Sequence, residues 1–116
     1  MYYTGYYANM KKMPPNSGYT LVSISQKAPE WFDYDIRLGV IAPTWPMIQL
    51  AKNQEYEEFI RLYNIQLSKV SLRQIFEEVP DNSIFLCHEL PDVFCHRHLW
   101  RAFLQSQGYM CEEIKF

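Results

Sequence analysis

Apolar and polar positions alternate along this chain in two distinct periods. Short apolar runs at residues 2–4, 19–25 and 84–87 predict strands, and Gly5 closes the first of them. The run at 19–25 is nearly continuous in apolar character, which is typical of a strand buried on both faces. A last strand is expected within residues 109–116, after Gly108 at the end of a helix.

Between the strands, apolar residues recur every three or four positions and predict helices. A short helix is expected after the capping residue Thr44, a long one over residues 55–70, and a third after Ser71. A fourth is expected over residues 94–107, with Asp92 as its N-cap, which would place Cys95 in the first turn. Residues 8–18, with two prolines, asparagine, serine and glycine, and residues 29–43, with proline at both ends, are expected to be irregular.

Strands that alternate with helices favour an α/β fold. We expect a single domain over residues 1–116, with a compact, three-layer, Rossmann-like arrangement of a mostly parallel sheet and helices on both faces. Hydrophobic residues make up 48% of the chain and charged residues 21%, which excludes a disordered protein.

Composition also limits the partners. A net charge of −2 provides no basic surface for nucleic acid, and no apolar run approaches the length of about 18 residues that spans a bilayer. The N-terminus lacks the basic and apolar regions of an export signal. Three cysteines cannot all pair, so reduced thiols and a cytoplasmic location are expected. None of these features indicates an oligomeric state.

The side chains most able to react or to bind a ligand are concentrated between Cys87 and His98, where a strand ends and a helix begins. Ligands of open α/β sheets bind in the crevice at that edge. Cys95 in a first helical turn would feel the positive end of the helix dipole, and with His96 it forms a candidate nucleophile–base pair for catalysis. The alternative is that Cys95 packs inward as a small hydrophobic residue. Cys87 is expected to be structural.

Arg97 is the candidate contact for an anion, since arginine binds carboxylates and phosphates bidentately and a helix start supplies free N–H groups. The alternative is a salt bridge from Arg97 to Glu89 or Glu112. The remaining candidate ligand contacts are Glu89 and three aromatic walls from the loops after the first two strands: Tyr3, Tyr6 and Trp31.

Metal and phosphate-cradle chemistry fit the spacing poorly. Soft ligands are available, but no C-x2-C or H-x3-H pair is present among Cys87, His88, Cys95, His96 and His98. A phosphatase-like loop requires consecutive inward N–H groups, whereas residues 87–95 contain no glycine and include Pro91. The sequence therefore predicts no metal site and no cofactor.

The element Cys87-x-Glu89 followed by Cys95-His96-Arg97 resembles the signature of the domain-of-unknown-function 488 family. The resemblance continues along most of the chain, over an opening Tyr-Thr-Gly, residues 22–25, Pro29-x-Trp31-Phe32, residues 38–43 and residues 57–61. It implies a compact three-layer α/β fold but no established reaction. This chain has Ser25-Gln26-Lys27 where many members carry Asp-x-Arg, so no role for that arginine is carried over.

Two functional classes follow. The first is an enzyme or binding domain that takes a small anionic, nucleotide- or phosphate-like ligand at the Cys95-His96-Arg97 helix start. The second is a non-catalytic interaction or accessory protein, of a bacterium or its phage, that contacts a protein partner through a tyrosine-rich surface; the chain has nine tyrosines.

Overall fold

A computed structural model describes residues 1–116. The chain forms a five-stranded sheet in which every neighbouring pair is parallel. The strands are β1 (Tyr2–Tyr6), β2 (Thr20–Ser23), β3 (Ile36–Arg37), β4 (Ser83–Cys87) and β5 (Cys111–Glu113).

Four α-helices and two 3₁₀ helices connect the strands. The α-helices are α1 (Trp45–Lys52), α2 (Tyr56–Ser68), α3 (Leu72–Glu78) and α4 (His96–Ser106), and the 3₁₀ helices are Tyr7–Lys12 and Gly39–Ile41. Thr44 and Ser71 cap α1 and α3 by accepting from the backbone N–H three residues on, as predicted. No helix of the chain combines the length and the apolar character needed to cross a bilayer.

The strand order is β3-β2-β4-β1-β5, so β4 lies between β2 and β1. This confirms the predicted parallel pairing of the three principal strands. The chain leaves β2 toward β3 and leaves β4 toward β5, in opposite directions. The carboxyl ends of β2 and β4 therefore form a topological switch point, the place where ligand crevices open in α/β folds.

The connections sort onto two faces, because crossovers between parallel strands are right-handed and those that run in opposite directions lie on opposite sides. The larger core lies under the α-helices and includes Phe85, Tyr63 and Trp100. The smaller core, around Ile84 and Leu86, is covered by the 3₁₀ helix Tyr7–Lys12 and by loop residues such as Phe32. The predicted three-layer α/β class is thus confirmed, with a thin 3₁₀-and-loop layer on the second face.

The structure differs from the sequence prediction in four places. Residues 8–18, expected to be irregular, contain most of the 3₁₀ helix Tyr7–Lys12. The stretch 29–43, also expected to be irregular, contains β3 and a 3₁₀ turn. Gly5 lies within β1 and does not end it, and a Cβ there would lie 3.2 Å from Ile114 and 3.3 Å from Ile84. Helix α4 begins at His96 with Cys95 as N-cap, so Asp92 lies outside it.

Candidate active site at the carboxyl edge of the sheet

Two adjoining cavities of about 250 and 190 Å³ open at the switch point. We call them together the crevice. They share Pro43, Ile48, Glu89 and His96. Segments after β2 and β4, together with α1 and the start of α4, form the walls. The predicted pair Cys95 and His96 thus lies at the base of a concave site, where the topology predicts ligand binding.

The local backbone explains how the pair is presented. Cys95 has φ −154° and ψ 141°, the extended conformation of an N-cap, and no side chain accepts from the first N–H groups of α4. This corrects the expectation that Cys95 lies in the first turn. Cys95 is 4% exposed, and its Sγ lies 3.8 Å from His96 Nδ1.

His96 is held in one orientation and one tautomer. Its Nε2 lies 2.7 Å from the carbonyl oxygen of Ile24, which can only accept, so the proton is on Nε2. Its Nδ1 therefore carries a free lone pair directed toward the sulfur of Cys95. Burial lowers the pKa of His96 to about 4, so the ring is neutral at physiological pH.

The structure places the sulfur atoms of Cys87 and Cys95 in bonding contact, whereas the sequence predicts free thiols and a purely structural Cys87. Cys111 is the free cysteine. Burial raises the pKa of the Cys111 thiol to about 12. Cys87 thus joins the site, for a reason that only the fold reveals: the end of β4 and the cap of α4 face each other.

Arg97 does not face the crevice. Its side chain is fully buried, and its Nε and Nη2 donate to both carboxylate oxygens of Glu113, at 2.9–3.3 Å. Its Nη1 lies 2.6 Å from the carbonyl oxygen of Glu89 and 3.0 Å from Cys87 Sγ. The expectation of a ligand-contacting arginine is corrected: five internal hydrogen bonds occupy the guanidinium, which positions the two cysteines.

Three residues that were not predicted from the sequence complete this network: Glu113, Thr4 and Arg101. Thr4 Oγ1 donates to Glu113 at 2.7 Å and accepts from Arg101 Nη1 at 2.9 Å. Burial raises the pKa of Glu113, but hydrogen bonds from Arg97 and Thr4 outweigh it and leave that pKa below its ordinary value. The signal available in the sequence was an acidic pair, Glu112-Glu113, on an otherwise apolar last strand.

Of the remaining predicted ligand contacts, one lies at the crevice and the others lie elsewhere. Glu89 lines both cavities of the crevice. Tyr6 lies at the carboxyl end of β1, with its ring centroid 5.8 Å from the Arg97 guanidinium carbon. Tyr3 packs against Tyr19 in the smaller core, and Trp31 is exposed beside Phe32 and Lys11. None of Tyr3, Tyr6 and Trp31 lines the crevice, which corrects their assignment as its walls.

A larger cavity of about 720 Å³ lies elsewhere, between α1, α2 and α3. Apolar side chains such as Leu62 and Ile65 line it, together with Lys69 and Glu78 at its edge. It contains no cysteine or histidine. Chemistry is therefore assigned to the crevice.

Comparison of the chain with protein-family models, with curated proteins and with solved structures found no match. The resemblance to the domain-of-unknown-function 488 family therefore stays a prediction from the residues that carry it.

Proposed function

We propose that this chain binds a small anionic ligand of the nucleotide or phosphate class in the crevice. Cys95 and His96 line the crevice as a nucleophile and its general base. The observation that carries the proposal is the position of this pair. The pair lies at the start of α4, where no side chain accepts from the first N–H groups. It lines an open cavity at the topological switch point.

The surrounding charges favour an anion. Free N–H groups at the start of α4 give that end of the crevice a positive potential. Lys52 lines one cavity and Lys27 the other. Glu89 is the one carboxylate shared by the two cavities and provides an acceptor for a hydroxyl or amine of the ligand.

In the reduced chain, where Cys95 is no longer bonded to Cys87, the Cys95–His96 geometry suits proton transfer from a thiol. With the Nε2 proton bound to the Ile24 carbonyl, Nδ1 is the only basic atom of the ring, and it faces Sγ at 3.8 Å. A thiol at that distance can pass its proton to the imidazole as the sulfur attacks an electrophile. Catalytic hydrogen bonds are often longer in the ligand-free state.

The alternative interaction surface has less support. Of the nine tyrosines, Tyr34 and Tyr56 are exposed, while Tyr7 and Tyr63 lie fully inside the two cores. The high tyrosine content therefore serves packing more than a partner surface.

Thermal shift with inorganic phosphate and adenosine monophosphate tests the proposal. A ligand that binds only the folded state raises the melting temperature by mass action, so at least one of these probes should stabilise the wild-type protein. Lys27→Ala and Lys52→Ala should each reduce that shift. Lys69→Ala, at the edge of the large cavity, is the matched control and should retain it. No shift with either probe, or an equal loss in Lys69→Ala, would contradict the proposal.

A further inference from the structure

Three soft donor atoms converge beneath the crevice. Cys87 Sγ, Cys95 Sγ and His96 Nδ1 all lie within 4.8 Å of one another, and all three residues are buried. Two thiolates and one imidazole form a ligand set that zinc uses in catalytic sites, where a water or substrate occupies the fourth position. The linear spacing hides this set, because seven residues separate the cysteines and the histidine directly follows the second one.

We propose that the reduced chain binds one divalent ion of the zinc class through Cys87 Sγ, Cys95 Sγ and His96 Nδ1. In a tetrahedral site with ordinary zinc–sulfur and zinc–nitrogen bonds, the bound sulfur and nitrogen atoms lie about 3.6 Å apart. The observed separation of Cys95 Sγ and His96 Nδ1, 3.8 Å, fits this geometry without rearrangement of the helix start.

The backbone spacing of the cysteines also favours an ion between them. Their Cα atoms lie 7.6 Å apart, beyond the range of about 4.4–6.8 Å that disulfide-linked pairs usually span. An ion between two sulfurs lengthens the bridge by one atom and matches the wider spacing. A small rotation of each side chain away from the direct sulfur contact opens the site.

Groups around the three ligands prepare them for a metal. The Ile24 carbonyl accepts from Nε2 of His96 and leaves Nδ1 as the metal ligand. A backbone carbonyl is a usual hydrogen-bond partner for the second nitrogen of a metal-bound histidine. Arg97 Nη1, 3.0 Å from Cys87 Sγ, stabilises the thiolate form, and Glu113 balances the charge of the arginine. Binding forms two metal–sulfur bonds and one metal–nitrogen bond and releases the two thiol protons.

The fourth position faces the crevice. Glu89 Oε2 lies 3.7 Å from Cys87 Sγ, outside the three-atom cluster, where it can accept a hydrogen bond from a metal-bound water. That the open position receives the anionic ligand rests on the proposed function, but the metal site itself does not. An ion there would attract an anion directly and lower the pKa of its bound water.

The test is metal uptake by the reduced full chain, kept anaerobic, with Zn²⁺ and with Co²⁺ as a spectroscopic probe. We expect one ion per chain by elemental analysis, a thiolate-to-cobalt charge-transfer band, and protection of Cys87 and Cys95 from Ellman's reagent, while buried Cys111 reacts slowly with or without metal. Cys87→Ser, Cys95→Ser and His96→Gln should each lower the affinity at least tenfold. Cys95→Ser is expected to fold, because serine is a preferred N-cap residue.

Cys111→Ser is the matched control, since Cys111 is also buried but belongs to no ligand cluster. It should bind the metal as the wild type does. The proposal is overturned if the reduced, folded wild type takes up no stoichiometric metal, if Cys111→Ser loses the ion as Cys95→Ser does, or if the cobalt spectrum lacks the thiolate band. None of these readouts depends on phosphate or nucleotide binding, so failure here is distinguishable from failure of the crevice proposal.

Discussion

The guanidinium of Arg97 donates from Nη2 to Glu113 Oε2 at 2.9 Å, and this ion pair joins the start of α4 to β5 inside the protein. The arginine side chain is fully buried and the carboxylate is 14% exposed. The same guanidinium bonds the carbonyl of Glu89 and the sulfur of Cys87. One pair thus fixes the helix start, the loop after β4 and the thiol cluster in a single arrangement.

Removal of Arg97 should be destabilising, because the largely buried carboxylate of Glu113 then keeps only its longer ion pair, to Arg101 Nη1 at 3.3 Å. We expect Arg97→Met to lower the free energy of unfolding by about 3–5 kcal/mol. Denaturant unfolding followed by circular dichroism measures it. A cost below that of an exposed ion pair, under about 1 kcal/mol, would contradict a structural role for Arg97.

The double variant Arg97→Met with Glu113→Leu distinguishes two contributions to the free energy of unfolding: the loss of the ion pair, and the cost of burying Glu113 without Arg97. Replacement of both partners by apolar side chains of similar size is often close to neutral. The double variant should therefore be more stable than Arg97→Met alone. Arg73→Met provides the control, since the Arg73–Glu77 pair is exposed and should contribute little.

The pH dependence of stability should report Glu113. Its folded pKa lies below the ordinary value of 4.5, so the folded state holds the carboxylate ionised more strongly than the unfolded state does. The resulting stability is fully present above about pH 4.5 and is lost as the pH falls through the lower folded pKa. Thr4→Val removes one hydrogen bond that lowers this pKa and should move the acid unfolding midpoint to higher pH.

Acid titration followed by tryptophan fluorescence measures that midpoint. Thr20→Val, on β2 and without a side-chain partner in the Glu113 network, is the control and should leave the midpoint in place. An unchanged midpoint in Thr4→Val would show that the hydroxyl does not hold the carboxylate in its charged form.

Much of the fold could be predicted from local patterns. Periodicity located four strands and four helices, and the capping residues Thr44 and Ser71 marked two helix starts, because these signals depend only on near neighbours. The two-residue strand β3 is too short to give a pattern. The start of α4 was misplaced because Asp92 is a good cap, whereas the structure uses the extended backbone of Cys95.

The candidate site was predicted in part. Cys95, His96 and Glu89 lie at the crevice because sequence order places them after β4, and that order is visible in the chain. The partner of Arg97 was not predictable, since Glu113 follows it by 16 residues, on strand β5, and Glu112 offers the same chemistry one position away. Only the pleat of β5, which turns Glu113 toward Thr4, decides between the two.

Tyr63 connects α2 to the segment that leads into the crevice, through a bond from its hydroxyl to the Ile41 carbonyl at 2.7 Å. Both groups are buried, so Tyr63→Phe leaves a carbonyl without its partner. We expect a loss of about 1–3 kcal/mol in the free energy of unfolding, measured by urea denaturation. Tyr34→Phe, at an exposed position, is the control and should change little. Equal effects of the two substitutions would contradict this assignment.

Thiol reactivity tests the base of the crevice directly. In the reduced, metal-free protein, iodoacetamide should label Cys95 fastest, because its sulfur borders the crevice and His96 Nδ1 can take the proton. Cys87 should react slowly at the end of its buried strand. Cys111 should also react slowly, since burial raises its pKa to about 12. Peptide mass spectrometry across a range of pH orders the three rates.

Two further measurements decide what the label reports. His96→Gln should slow the labelling of Cys95 and leave Cys111 unchanged, because glutamine fills the space but accepts no proton from a thiol. Zn²⁺ added before iodoacetamide should protect Cys95 and Cys87 together, since one ion would bind both sulfurs. If Cys95 reacts no faster than Cys87 in the folded protein, the cysteine is a packing residue and nucleophilic chemistry at the crevice is excluded.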